Sequence, residues 1–163
     1  MVYVPYSWKR TLDAHPYIHD ITTDTLNPPD FMVVSGLRTA EHHSIDYDGL
    51  EVAEQQKKAY PDIKTLVVGA EPEIVLVEAA DILTKMGLEI VGSDADNGRI
   101  EATATTLLYG FKDDVVVRIS AGDAGTARVD VRSKSRVGKS DLGQNAKRIR
   151  QFTNSLMLRF PKD

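Results

Sequence analysis

Alternation of apolar and polar residues is clearest late in the chain. In "ARVDVRSKSRV", Val129, Val131 and Val137 alternate with Arg128, Asp130, Arg132, Lys134 and Arg136. This period of two marks a strand with one face in the core and one face polar. The preceding "DDVVVRIS" reads as its hairpin partner across "AGDAGT". "LEIVGSD" and "GRIEATATT" form another pair, with Asn97-Gly98 in "DADNG" supplying positive-φ turn chemistry. "IKTLVV" is a short apolar strand. Between it and the first hairpin, "EPEIVLVEAADILTKMG" changes to helical spacing. Val75, Ala79, Ile82, Leu83 and Met86 share one stripe, Pro72 stands near its start and Gly87 just past its end. At the end of the chain, Leu142, Ala146, Ile149, Thr153, Leu156 and Phe160 predict a second amphipathic helix, with Ser140 or Asp141 as N-cap.

The order strand, helix, four strands, helix predicts an α+β two-layer sandwich. An antiparallel sheet of about five strands carries two helices on one face. Its other face must then meet water, a ligand or the N-terminal part of the chain. Residues 1–60 lack sustained periodicity, although a short helix is expected around Leu50–Ala59, stopped at Pro61. They are read as an extended arm packing on a core domain of residues 61–163. By strand parity Glu101, Thr103 and Thr105 share one face of their strand, and Val116 and Arg118 one face of theirs.

Composition narrows the chemistry. A chain of 163 residues is long enough to bury about 70% of its unfolded surface. The absence of cysteine excludes disulfides, thiolate metal sites and a cysteine nucleophile. No run approaches the length of a membrane span, and the opening "MVYVPYSWKRTLDAHPYIHD" lacks the layout of a secretory signal. Residues 1–127 hold 10 Lys/Arg against 21 Asp/Glu, whereas residues 128–163 hold 10 against 3, so a chain of net charge −4 ends in a basic segment. With a pI near 5.6, nucleic-acid binding is not expected.

The candidate ligand-binding residues follow from that asymmetry. Arg132, Arg136 and Lys139 lead into Ser140 and a helix start, where guanidinium forks and backbone N–H groups favour carboxylate or phosphate. Arg118 lies on the same sheet face as the first two. Asp113 and Asp114, in "GFKDD", would pair with the arginines or act as acid and base; as strand neighbours they point to opposite faces. Pairing among these charges inside the fold is the competing reading. "SRVGKSDLG" lacks the spacing of a nucleotide-binding phosphate loop. His15, His19, His42 and His43 lack metal-ligand spacing, so neither a metal nor a cofactor is expected. "HDITTD" reads as a polar clasp tying the arm down by local hydrogen bonds. No catalytic residue is assigned.

"IHDITTDTLNPP", "AYPDIKTL", "GRIEATATT", "GFKDDVVVRI" and "DVRSKSRVGKSDLGQNAKRI" together resemble the bacterial and plastid family called domain of unknown function 1499, over roughly Ile18 to Phe160. The chain departs from that resemblance at "TTLLYGF", with Leu107 and Leu108, which would alter ligand preference if that edge lines a pocket. The resemblance implies an extracytoplasmic location, periplasmic or membrane-associated; a complete chain as given would be cytoplasmic. It implies no activity. The expectation is therefore a cell-envelope binding or accessory domain, more readily a non-enzyme, holding an anionic small molecule, lipid head group or protein partner. A hydrolase or transferase for an anionic substrate and a structural protein-contact domain are the alternatives.

Overall fold

The computed structural model describes residues 15–107 and 109–161; the first fourteen residues of the arm and Leu108 lie outside them. The strands are β1 (Asp20–Thr22), β2 (Leu66–Val68), β3 (Glu89–Asp94), β4 (Arg99–Thr105), β5 (Lys112–Ala121) and β6 (Ala127–Ser135). The helices are α1 (Leu50–Ala59), α2 (Pro72–Lys85) and α3 (Gln144–Arg159), and a 3-10 turn spans Val34–Leu37. The sheet is antiparallel, in the order β1-β6-β5-β4-β3, with β2 also on β6. Both β1 and β2 lie on the outer edge of β6, end to end: β2 pairs with Ala127–Val129 and β1 with Arg132–Lys134. The α+β architecture expected from the pattern is the one observed, with a sixth strand, β1, supplied by the arm.

Three devices position these elements. Gln56 of α1, buried, accepts from the Thr22 amide at 2.9 Å and donates to its carbonyl at 2.7 Å, so one side chain completes the open edge of β1. Between β1 and β2, the Thr23 amide donates to the Val131 carbonyl, and the Val131 amide donates to Thr23 Oγ1. The β3–β4 connection is a four-residue turn. There Gly98 has φ +60° and a Cβ would collide with the Ile119 carbonyl oxygen, so only glycine fits.

The helices cover one sheet face. Val75, Ala79, Ile82 and Leu83 of α2, with Ala146, Ile149, Phe152 and Leu156 of α3, bury against Val115, Val117, Ile119, Val129 and Val131. α3 begins later than the sequence spacing suggests, because Gly143 (φ +81°) is its N-cap. Asp141 serves it from two residues upstream: one carboxylate oxygen accepts from the Gly143 amide and the other from the Asn145 amide. Leu142 is consequently exposed, and Phe152 joins the buried stripe where Thr153 was expected. β6 ends at Ser135, so Val137 leaves the alternation and is exposed.

Candidate functional site

The chain after β1, as far as Asp48, lies across the other sheet face, and the charged series from Asp130 to Arg136 is buried beneath it, while Arg128 is exposed. Arg132 and Lys134 are at most 1% exposed. Arg132 donates from Nε and Nη2 to the two oxygens of Asp20 at 2.9 and 2.8 Å, and also to the Pro29 and Ile45 carbonyls. The rings of Phe31 and Tyr47 lie 4.8 and 5.6 Å from its guanidinium carbon. Arg136 grips Asp114 in the same two-pronged way at 2.9 and 2.8 Å, and Arg38 donates to that carboxylate at 2.8 Å. Lys134 reaches Asp20 and Asp48. Arg118, half-buried, bridges Asp24 and Asp130. A buried charge persists only when paired and hydrogen-bonded on all sides, and each of these is. The face expected to meet water, the arm or a ligand meets the arm. Arg132, Arg118 and Asp114 thus hold the arm's Asp20, Asp24 and Arg38, and Arg136 holds Asp114 and the arm's Leu37 carbonyl.

Glu101 was placed on this face by parity, but its role was not legible in sequence. Its carboxylate accepts from the amides of Met32, Val33 and Val34 at 2.8 to 3.0 Å, anchoring the start of the 3-10 turn. Arg38, isolated in a segment without periodicity, gave no sequence signal, because its partner stands 76 residues away.

Asp113, Lys139 and Ser140 lie elsewhere, as the alternation requires of Asp113. On the helix side a cleft of about 810 Å³ opens between the end of α2, the β4–β5 loop, the β6–α3 loop and the first turns of α3. Asp113 and Ser135 form part of its floor. Asp113, buried, accepts from Arg148 at 2.8 Å, and Arg148 also donates to Ser133 and Asn145. Asn145 bonds Ser133 and Ser135 in turn, closing a polar network between β6 and α3. Ser140 lines the rim and accepts from the Leu142 amide. Lys139 is exposed between the lining residues Gly138 and Ser140. The upper wall is apolar, with Leu107, Tyr109, Phe111, Val137 and Leu142 all exposed.

Residues 20–156 match the family described as "Protein of unknown function (DUF1499)". The chain belongs to that family. No curated protein matches it. Among solved structures, this DUF1499 chain is similar to the Zhui aromatase/cyclase from Streptomyces sp. R1128, at 14% identity and a TM-score of 0.35, over 58% of this chain and 82% of that one. It is also similar to TTHA0849 from Thermus thermophilus, at 12% identity and a TM-score of 0.31, over 59% and 90% of the two chains.

Two histidines of the DUF1499 chain meet across the arm. The rings of His19 and His43 stack at 3.9 Å, and His19 Nε2 lies 3.3 Å from Asp48. Burial, and then the neighbouring His43, hold the His19 imidazole below its ordinary value of 6.5. His43 ties the arm to the cleft loop: its amide donates to the Arg136 carbonyl, and its Nε2 lies 2.7 Å from the Gly138 carbonyl oxygen. Burial and the nearby Asp20 push the Tyr47 phenol up to about 12. Among the described residues no cluster of three or more His, Asp or Glu side chains could hold a metal, and no helix is long and apolar enough to cross a membrane.

Proposed function

We propose that this chain is a non-catalytic binding module of the cell envelope, and that the helix-side cleft takes a small amphiphile with an apolar body and an anionic head. The observation that carries this reading is the cleft's composition. Exposed Leu107, Tyr109, Phe111, Val137 and Leu142 line it together with the exposed Lys147 and the buried Asp113 and Ser135. A volume of about 810 Å³ suits a small organic ligand. The acids that line it are occupied: Asp113 by Arg148 and Asp141 by the amides of α3. A hydrolase or transferase would need one of those carboxylates free to exchange a proton with substrate, so binding is preferred to catalysis. The envelope location rests on the family resemblance.

The test is a fluorescence titration with anilinonaphthalene sulfonate, an aromatic anion, in the wild type and in a Val137→Ser/Leu142→Ser variant. Saturable binding, weakened about tenfold or more in the variant by loss of apolar contact, supports the assignment. Equal binding in the two proteins, or none in the wild type, overturns it.

A further inference from the structure

The β4–β5 loop is built to present apolar side chains to the outside. Thr105 pairs with Lys112 across the hairpin, and the loop beyond is closed by its own bonds: the Thr106 amide donates to the Phe111 carbonyl, the Phe111 amide to Thr106 Oγ1, and the Gly110 amide to the Thr106 carbonyl. On this frame Leu107 is fully exposed, and Tyr109 and Phe111, whose rings stack at 5.7 Å, are 75% and 52% exposed. Three such side chains in one loop are more than scattered surface apolarity explains. Three exposed lysines surround it. Lys112 follows the tip directly, Lys147 lines the cleft beside it, and Lys139 stands in the facing loop, all three exposed. The acids of that cleft, Asp113 and Asp141, are bonded to Arg148 and to helix amides.

We propose that this tip docks the protein on an anionic lipid bilayer, with Leu107, Tyr109 and Phe111 entering the headgroup–acyl boundary and Lys112, Lys139 and Lys147 contacting the headgroups. The exposed lysines match an anionic surface in charge, and the exposed apolar side chains of the loop match the apolar layer beneath it. Aromatic rings favour the boundary between headgroup and chain, and lysines hold their charge at the headgroup level while their stems lie in the apolar layer. The proposal does not rest on the amphiphile reading. Docking is measured on vesicles and the cleft with a soluble probe, so each can fail while the other stands.

Flotation with vesicles of phosphatidylcholine and phosphatidylglycerol, mixed roughly two to one, tests it against vesicles of phosphatidylcholine alone. The wild type should float with the anionic vesicles and release them as salt rises. Leu107→Asp/Tyr109→Asp should weaken binding at least about 100-fold. Lys112→Gln/Lys139→Gln/Lys147→Gln should weaken it by about fivefold per lysine, on the order of 100-fold together. Because all five positions are exposed, the variants should retain wild-type circular dichroism and melting. Failure of the wild type to float, or flotation unchanged in the tip variant, overturns the proposal. Wild-type self-association in solution that the tip variant abolishes, without vesicle binding, would assign the patch to protein contact instead and equally overturn it.

Discussion

The two faces of the sheet are covered in different proportions of apolar contact and paired charge. Toward α2 and α3 the sheet presents Val115, Val117, Ile119, Val129 and Val131, and burial of apolar area holds the layers together. Toward the arm it presents Asp114, Arg132, Lys134 and Arg136 around a small apolar cluster in which Val116 meets Phe31 and Val34, and the rest of the contact is paired charge. The apolar face gains stability roughly in proportion to area and tolerates many similar side chains. The charged face gains little net stability, since desolvation offsets attraction, but a partner lost from it leaves a buried charge unpaired at high cost. An arm of weak periodicity is thereby tied to the sheet at Asp20, Asp24, Arg38 and Asp48.

The sharpest way to break this contrast is Asp114→Ala, which leaves Arg38 and Arg136 buried without their carboxylate. The expected loss is about 3–5 kcal/mol, read as a lowered urea midpoint; a loss below about 1 kcal/mol would mean that the arm is not held by these pairs. Next is Gln56→Ala, which strips the donor and acceptor serving Thr22 at the edge of β1. About 2 kcal/mol should be lost, with faster hydrogen exchange confined to β1 and its surroundings. A smaller effect is expected when the charge cluster is replaced as a whole. Arg38→Met/Arg136→Met/Asp114→Leu removes attraction and desolvation together and should stay within about 2 kcal/mol of wild type. A loss as large as that of Asp114→Ala would show that the pairs supply stability outright.

The smallest expected effect is that of pH. Since the folded state holds His19 below its ordinary value of 6.5, the unfolded chain takes up the proton first as pH falls. His19 therefore lends stability that is complete above that value and is lost as pH drops through it toward the lower folded-state value. The groups around it act in both directions, His43 and Lys134 lowering and Asp48 and Asp20 raising. His19→Gln should flatten the slope of melting temperature against pH below neutrality. An unchanged slope would assign the acid sensitivity to other groups.

Much of the fold was legible because its signals are local. The valine alternation sets the parity of β6, and with it the face of every residue opposite: Val116 stands across from Arg132, and Asp114 across from Lys134. Pro72, Gly87 and the Val75–Ala79–Ile82 spacing bound α2 by chemistry contained within it. The same reading separates Asp113 from Asp114, since neighbours on a strand face opposite ways. Those properties belong to the sequence by itself, because backbone period and turn preference need no distant partner.

Tertiary structure alone decided what the charges are for. Arg132 meets Asp20 across 112 residues and Arg38 meets Asp114 across 76, separations that no period encodes. An arginine on a strand face looks alike in sequence whether it awaits a ligand or a carboxylate of its own chain. Which of the two it finds depends on the arm's path, which is held by the very pairs it completes. The cleft is decided in the same way. Leu107, Tyr109 and Phe111 are ordinary loop residues until the β4–β5 loop, the β6–α3 loop and the start of α3 converge around them. That convergence follows from the packing of α2 and α3 on the sheet, where buried apolar area sets the distance between layers.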